Sequence, residues 1–373
     1  MILDFLLALI VFALIITIVV SAHELGHFLG AKKTKTKVIE FAIGFPPFIW
    51  KKKIGETLFG IGSIPFGGYN KIYGESAPTE NENDPSSFTS KSTGQKLLII
   101  IAGVVGNFLL SAFLFYIVLF SSNFNSNIGL INPEYEFPFG HQENYLLIGG
   151  VEENSPASLG GLKQNEIILE INGERVENAN ELKDILNKTK GEAIAVLTKN
   201  RETKEETTHI VNNNEDKIGV GYSNIAELSY NDNLGDKIFS GVFHTYNFTD
   251  YSLSTLGDMI AKSFTQKDLS VAANAVAGPI GIFAITKISL SEGFMFMLNI
   301  TAIISLALAI TNLLPLPALD GGKCIYLIFQ KINPRFFTDE LSEKIDGAGF
   351  LFLMILGILI VIKDVFQFKD LIF

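Results

Sequence analysis

The sequence has few cysteines and few charges, and it lacks a basic region. Its single cysteine, Cys324, cannot form an intrachain disulfide, which excludes a disulfide-stabilised fold. Only 18% of the 373 residues are charged, whereas 48% are hydrophobic and the mean hydropathy is +0.33, which excludes an ordinary soluble protein. The net charge of −10 resides in residues 121–290, which carry 23 acidic and 13 basic side chains. The absence of a basic domain argues against nucleic-acid binding.

Long hydrophobic runs are present instead, and they predict an α-helical polytopic membrane protein. A transmembrane helix needs about 20 apolar residues. The first run lacks a basic segment and a clean cleavage site, so we interpret it as a retained helix rather than a signal peptide. Ten lysines within residues 30–96 predict a cytoplasmic end for this helix and an extracytoplasmic amino terminus. The four predicted transmembrane helices are residues 2–30, 97–120, 293–320 and 348–367.

The first run ends in the motif His23-Glu24-Leu25-Gly26-His27. Two histidines four residues apart project from one face of a helix and suit two ligands of a tetrahedral zinc. Glu24 follows the first histidine, where it can take a proton from a zinc-bound water. The motif also arises by chance, and a helical histidine is more often a surface or core residue. The membrane setting favours the metal site, because ionisable side chains there need a partner.

A third ligand is predicted where the third run ends, in the segment Asn312–Gly322. Two prolines interrupt the helix there, and broken helices at membrane depth usually line a cavity. Asp320 then lies in apolar surroundings, and the lysines after it place this end on the cytoplasmic side, as for His23. We therefore predict zinc bound by His23, His27 and Asp320. The alternative is a simple helix end with Asp320 at the membrane surface.

The segments between the hydrophobic runs predict a hairpin, a folded domain and a connector. Residues 38–74 alternate and are rich in glycine, which indicates a β-hairpin that either dips into the membrane or lies on its surface. Residues 126–213 have the pattern of a compact extracytoplasmic α+β domain, with a hairpin turn signal at Asn172-Gly173. Residues 214–291 are predicted to be a partly helical extracytoplasmic connector. The two parts of the membrane domain are residues 1–120 and 292–373.

Together these motifs resemble the site-2 protease family of intramembrane zinc metalloproteases, specifically the bacterial regulator-of-sigma-E protease type. Residues 146–213 resemble a PDZ domain, with Ser155-Pro156-Ala157 and Ile171-Asn172-Gly173 as its recognisable pieces. The matching segments follow the family's order over nearly the whole chain: His23–His27, Ile64–Tyr69, Gly103–Asn107, Gly278–Ile280 and Asn312–Gly321.

The resemblance implies four transmembrane helices, a membrane-associated β-hairpin and a PDZ domain inserted between the second and third helices. Zn²⁺ would be held by His23, His27 and Asp320. Glu24 would be the general base, and Asn312 would bind substrate and stabilise the oxyanion. Strand pairing would open a helical substrate and expose its peptide bond. The residues implied in substrate binding are Gly67, Gly68, Tyr69, Asn107, Pro315 and Pro317, and helix packing is the alternative role of Asn107.

An enzyme of this type would cut the transmembrane helix of a single-pass membrane protein. Its substrate would be an anti-sigma factor already cut outside the membrane, or a signal-peptide remnant. The implied setting is the lipid bilayer of the bacterial inner membrane, with the active site near the cytoplasmic side and a peptide or protein tail at the PDZ groove. The sequence departs from the enterobacterial pattern in having room for one PDZ domain, and in Lys323, where a histidine is expected.

Two functions from other classes remain open at this point. A non-catalytic, membrane-anchored PDZ module would bind protein tails without zinc, but the intact His23, Glu24, His27 and Asp320 argue against it. A transporter with Asp320 as an ion site is disfavoured by the small number of spans and by the lack of a visible inverted repeat.

Overall fold

The computed structural model describes residues 2–75, 84–201, 203–213, 217–267 and 276–372. Parts of the predicted connector, residues 214–216 and 268–275, lie outside the described residues. The chain divides into two compact units. The first consists of Met1–Val118, His244–Thr249 and Leu256–Phe373, and the second consists of Leu119–Phe243 and Asp250–Thr255.

The helices have the following bounds: α1 Ile2–Lys33, α2 Thr93–Ser121, α3 Pro156–Leu159, α4 Ala179–Lys188, α5 Leu234–Gln266, α6 Pro279–Glu292, α7 Phe294–Leu313, α8 Asp320–Ile332 and α9 Asp339–Ile372. The strands are β1 Val38–Ile54, β2 Thr57–Ile72, β3 Asn125–Leu130, β4 His141–Val151, β5 Glu166–Ile171, β6 Glu174–Arg175, β7 Ala193–Asn200, β8 Glu206–Asn212 and β9 Val220–Ser229.

Four of the described helices are long and apolar enough to cross a membrane, and they lie in α1, α2, α7 and α9. The prediction of a polytopic protein with four spans is therefore confirmed. Their bounds differ from the predicted ones mainly at the third and fourth spans. The third helix ends at Leu313, before the two prolines, and the fourth begins nine residues earlier than the predicted start, at Asp339. Its first turns are polar, so hydropathy alone marks only its apolar part.

Close packing joins α1 to α2 in the first unit. A Cβ atom on Gly26 would lie 2.0 Å from the carbonyl oxygen of Ala102, and one on Gly30 would lie 3.0 Å from the Cα of Ile99. Small residues at these positions allow the two backbones to approach, as is common between transmembrane helices. The approach determines where the side chains of α1 meet those of α2.

The hairpin β1–β2 also belongs to the first unit and is an antiparallel two-stranded sheet turned at Gly55, where φ is +61°. Large apolar side chains are exposed near its middle, including Ile49 at 74% and Trp50 at 44%. The hydroxyl of Thr17 in α1 lies 2.6 Å from the carbonyl oxygen of Pro65 in β2 and 2.7 Å from that of Ala13 in its own helix, so the two oxygens share its one proton. The N–H of Gly67 donates to this hydroxyl at 3.4 Å. The hydroxyl therefore attaches β2 to the first helix.

The second unit contains a seven-stranded antiparallel sheet in the order β3-β9-β4-β5-β7-β8, with β6 paired to β5. Its apolar core packs α4 against the sheet, with Leu182 and Ile185 buried and Asn178 capping the helix. The sheet continues beyond residue 213, the predicted end of the domain, because β9 inserts between β3 and β4. Its partners lie far earlier in the chain, so no local pattern indicates this pairing.

Candidate metal centre

Three side chains converge in the first unit. The Nε2 atoms of His23 and His27, one turn apart on α1, are 3.0 Å from each other, and the two rings are perpendicular. Oδ2 of Asp320, the first residue of α8, lies 3.1 Å from Nε2 of His23 and 3.4 Å from Nε2 of His27. Among the described residues, this is the one group of three or more potential His, Cys, Asp or Glu ligands that converge for a metal ion.

The distances within this cluster fit a bound zinc ion. Ligand atoms about 2.0–2.1 Å from a tetrahedral zinc lie roughly 3.3 Å from one another, which matches the three observed separations. No hydrogen bond within the described residues satisfies the buried Oδ2 of Asp320. A carboxylate buried in this way requires a cationic partner. Two imidazoles and one carboxylate leave the fourth position of a tetrahedral site open, as catalytic zinc sites do.

The backbone of α2 orients one of the imidazoles. Nδ1 of His27 lies 2.9 Å from the carbonyl oxygen of Ile99, and a carbonyl can only accept a hydrogen bond. Nδ1 therefore carries the proton, and Nε2 directs its lone pair towards Asp320 and His23. The close approach of α2 to α1 thus selects the tautomer that can bind a metal.

The same helix forms one wall of the cluster. A Cβ on Gly103 would lie 2.4 Å from Nε2 of His27 and 2.9 Å from Cε1 of His23. Only glycine leaves this space to the two rings. Gly106 occupies a similar position one turn later, where a Cβ would lie 2.5 Å from the carbonyl oxygen of Ala22.

A tight reversal of the chain between α7 and α8 positions Asp320. Cβ atoms on Gly321 and Gly322 would lie 2.3 Å and 2.1 Å from the carbonyl oxygens of Leu313 and Leu316. The reversal also uses a left-handed backbone at Ala318, whose φ is +67°. The side chain of Asp320 is only 14% exposed and faces the histidines, unlike a carboxylate at a simple helix end on the membrane surface.

Glu24 and Asn312, the other two predicted participants, are both half-buried. Glu24 follows His23 on α1, and its carboxyl lies within electrostatic range of His23, His27 and Asp320. The side-chain amide of Asn70 in β2 donates to the carbonyl oxygen of Glu24 at 3.5 Å. Asn312 lies in the last turn of α7, directly before the reversal that leads to Asp320.

The predicted substrate-binding residues are spread over three elements. On β2, Gly67 and Gly68 are buried, and the ring of Tyr69 stacks on Phe45 with centroids 6.0 Å apart. Burial and then the Glu40 carboxyl raise the pKa of Tyr69 to about 12, so its hydroxyl remains a donor. On α2, Asn107 is fully buried, and its side-chain amide has no partner among the described residues.

The remaining two predicted residues, Pro315 and Pro317, lie in the reversal itself. Pro315 is exposed and Pro317 is half-buried. A Cβ on Gly349 of α9 would lie 2.3 Å from Cβ of Pro317, and the N–H of Ala318 donates to Oδ1 of Asp346 at 3.2 Å. The reversal is therefore held against α9 at Pro317 and Ala318.

Sequence reasoning missed an ion pair beside the cluster. Nζ of Lys323, one turn after Asp320, lies 3.2 Å from Oε1 of Glu75, which follows β2. Both side chains line a cavity of about 840 Å³ together with Lys96, Tyr326 and Asp346. The position of Lys323 one turn after Asp320 is the single clue in the sequence, because Glu75 is remote in the chain.

Comparison with known proteins agrees with this geometry. The model of Peptidase family M50 matches residues 11–356. The chain belongs to this family. It is 32% identical to a protein of Clostridium acetobutylicum that carries the name of a zinc metalloprotease, over 93% of this chain and 94% of the relative. Zinc metalloprotease RasP of Geobacillus kaustophilus is 25% identical over 97% and 98% of the two chains.

Membership in family M50 confirms three predictions. The protein is a zinc metalloprotease, its cofactor is Zn²⁺, and the resemblance to the site-2 protease family is correct. Zinc metalloprotease RasP of Oceanobacillus iheyensis is 24% identical over 95% of this chain and 98% of the relative.

Proposed function

We propose that this metalloprotease cuts transmembrane segments of single-pass membrane proteins inside the bilayer. The observation that supports this proposal is the position of the cluster in the membrane domain. His23 and His27 lie within the apolar helix Leu3–Lys33, and Asp320 follows directly on the span that ends at Leu313. This position supports entry of the substrate from a membrane-embedded segment.

His23, His27 and Asp320 are proposed as the zinc ligands. When bound there, zinc polarises a peptide carbonyl and lowers the pKa of a coordinated water. Glu24, next to His23 and electrostatically coupled to the cluster, is proposed as the general base that takes a proton and returns it to the leaving amine. The side-chain amide of Asn312 is proposed to donate a hydrogen bond to the developing oxyanion.

The hairpin β1–β2 is proposed to align the substrate. A transmembrane helix hides its peptide carbonyls in internal hydrogen bonds, and pairing with a strand edge frees them. The residues Gly67, Gly68 and Tyr69 belong to β2, which is attached to α1 through Thr17 and Asn70. Asn107, Pro315 and Pro317 are proposed to line the path of the substrate near the cluster.

The second unit is proposed to be a PDZ domain that receives a protein tail. It has an antiparallel sheet with a capped helix, α4, next to it. We further propose that the enzyme resides in the bacterial cytoplasmic membrane, with the amino terminus and this domain outside and the cluster near the cytoplasmic face. Its substrates would be anti-sigma factors already cut outside the membrane, or signal-peptide remnants.

The test uses the purified protein in lipid nanodiscs with a single-pass model substrate. Glu24→Gln removes the general base but keeps the ligands, so we expect a normal zinc content and no detectable cleavage. Glu174→Gln, an exposed glutamate on β6 of the second unit, serves as the matched control and should cleave normally. Cleavage by Glu24→Gln at the wild-type rate would contradict the assignment of the base.

The ligand assignment has its own measurement, the zinc content of the wild type and of Asp320→Ala. About one zinc per chain that is lost in Asp320→Ala supports the three proposed ligands. Equal zinc in both proteins would show that Asp320 is not a ligand.

The position of the cut tests the intramembrane proposal. If the wild type cleaves the model substrate only outside the membrane, and not within its transmembrane segment, that proposal is wrong.

A further inference from the structure

A groove of about 700 Å³ runs between α1 and α2, two of the four helices that can cross a membrane. Its floor is the close contact of the two backbones. A Cβ on Gly26 would lie 2.0 Å from the carbonyl oxygen of Ala102, and one on Gly106 would lie 2.5 Å from that of Ala22. The groove arises because the residues at this contact are smaller than those beside it.

The walls of the groove open outwards rather than into the protein. They are formed by Leu25 and Leu29 of α1 and by Ile101, Val105 and Leu109 of α2, which are between 40% and 62% exposed. Within each wall these residues lie four apart, so they form a ridge along their helix. On a transmembrane helix such a surface faces hydrocarbon, and a lipid chain rather than water fills the space between the ridges.

The length of the groove matches the depth of one leaflet. Its lining residues run from Ala22 to Lys33 on α1 and from Leu98 to Leu110 on α2. At the helical rise per residue these stretches are roughly 16–18 Å long, and half of the hydrocarbon core of a bilayer is about 15 Å thick. The groove therefore extends from the membrane surface at Lys33 to the middle of the bilayer, as one acyl chain of one leaflet does.

A lysine occupies the surface end of the groove. Lys33 is the last residue of α1, is exposed, and is the only charged one among the described residues that line the groove. Its neighbour Lys32 is paired with Glu56 at 2.8 Å, whereas no described carboxylate pairs with Lys33. An ammonium group at the membrane surface attracts anionic headgroups, and its aliphatic stem suits the apolar wall.

The charge of Lys33 discriminates between the apolar occupants that this groove could take. A substrate helix would bring the lysines and arginines of its cytoplasmic flank towards Lys33. A second copy of this chain, related by a two-fold axis along the membrane normal, would place Lys33 against Lys33. Like charges disfavour both arrangements, whereas a lipid with an anionic headgroup gains from the lysine as well as from the apolar walls.

We propose that the groove binds one anionic phospholipid of the leaflet in which α1 ends. One acyl chain would lie between Leu29 of α1 and Val105 of α2, with the phosphate at Nζ of Lys33. Gly26 and Ala102 line the groove, and the residues that follow them, His27 and Gly103, meet at the metal centre. The bound chain would therefore cover the same helix contact that orients His27.

The test uses the full chain in nanodiscs of phosphatidylcholine that contain a trace of photoactivatable lipid. Two probes carry the same diazirine-labelled acyl chain, one with a phosphatidylglycerol and one with a phosphatidylcholine headgroup. After irradiation, peptide mass spectrometry gives the ratio of phosphatidylglycerol to phosphatidylcholine adducts at each position. We expect this ratio to be about fivefold higher at the groove walls than at the exposed apolar positions of α9, which is the scale of one lysine near a membrane surface.

Variants then separate the roles of the lysine and of the walls. Lys33→Gln should lower the ratio at the groove to that of α9, because it removes the charge and keeps the apolar walls. Val105→Trp should exclude both probes, because the indole fills the space between the ridges. The matched controls are Lys53→Gln, an exposed lysine of β1, and Ile355→Trp, an exposed position of α9, and both should label like the wild type.

Three results would overturn the proposal: equal ratios at the groove and at α9, a raised ratio that persists in Lys33→Gln, or cross-links between two chains at the groove in place of lipid adducts. The exposed Lys33 and Val105 are replaced without disturbing the core, so the variants keep the test decisive. The labelling is independent of cleavage. An overturned lipid site leaves the proposed protease function intact, and an inactive enzyme with the expected ratios leaves the lipid site intact.

Discussion

Gly103 of α2 lies directly against the imidazole of His27. A Cβ at this position would lie only 2.4 Å from Nε2, the atom that faces Asp320. One turn earlier on the same helix, the carbonyl oxygen of Ile99 holds Nδ1 of this ring. The second transmembrane helix thus positions a proposed metal ligand from two directions, although it supplies no ligand itself.

Gly103→Ala should therefore weaken zinc binding. The added methyl group must displace one or both imidazoles, and changes in residues that orient ligands typically cost about 10–100-fold in metal affinity. The measurement is competitive zinc titration against a chelator with the detergent-purified protein. Gly94→Ala is the matched control, because a Cβ at this α2 position has no atom within 4 Å. Equal zinc affinity in both variants would contradict the role of Gly103.

The attachment of the hairpin to α1 gives a second prediction. Thr17→Val keeps the shape of the side chain but removes the hydrogen bonds to Pro65 and Gly67. A lost hydrogen bond of about 1 kcal/mol should speed amide hydrogen exchange at β2 and lower the cleavage rate roughly fivefold, with zinc content unchanged. Thr301→Val is the control, because that hydroxyl bonds within its own helix, to Met297. Normal exchange at β2 in Thr17→Val would refute the attachment.

Local periodicity made two of the three proposed ligands predictable from the sequence. His23 and His27 lie one helical turn apart, so their convergence depends on the helix alone. The prediction of Asp320 required a further argument, namely that it lies at membrane depth and on the same side of the membrane as His23. The structure brings these three side chains together, and the prolines after Asn312 mark the reversal, although the helix ends earlier than the predicted residue 320.

Long-range contacts were not predictable in the same way. The roles of Ile99 and Gly103 depend on how α1 packs on α2, and a sequence shows only that the glycine is small. The ion pair between Lys323 and Glu75 joins residues that are remote in the chain. Strand β9 likewise pairs with strands that precede it by many residues, so the predicted end of the domain at residue 213 fell short of the sheet.

The ion pair of Lys323 with Glu75 yields a third prediction. It connects Glu75, which follows β2, to the first turn of α8, the helix that begins with Asp320. Lys323→Met and Glu75→Gln should each lower the cleavage rate, and the double variant should lose little more than either one. The expected coupling energy is about 0.5–1 kcal/mol, because the two side chains are 37% and 24% exposed and solvent partly screens the pair.

The matched control for this cycle is the exposed pair of Lys344 with Glu340, four residues apart on α9. Lys344→Met should cleave at the wild-type rate, because that pair lies within one helix and both side chains are at least 70% exposed. Strictly additive effects of Lys323→Met and Glu75→Gln would show that the two residues act independently, and would contradict the connection.

The last prediction concerns the segment Gly278–Ile280, which forms the start of helix α6. Helix α6 has no side-chain cap of its own, because its N-cap residue is a glycine. Asp364 of α9 provides the missing acceptor: its Oδ2 accepts hydrogen bonds from the N–H groups of Gly278 at 2.9 Å and Gly281 at 2.8 Å. The carboxylate is fully buried, and Lys363 lies 3.1 Å from its other oxygen.

A graded pair of substitutions separates the contribution of the hydrogen bonds from that of the charge. Asp364→Asn keeps an acceptor but loses the favourable interaction of the charge with the start of the helix, whereas Asp364→Leu loses both and leaves two buried N–H groups without a partner. We expect losses of stability of about 1 kcal/mol and about 3 kcal/mol, seen as a stepwise fall in melting temperature. Asp258→Asn, an exposed residue of α5, should melt like the wild type. If Asp364→Leu also melts like the wild type, the motif at Gly278 does not depend on this carboxylate.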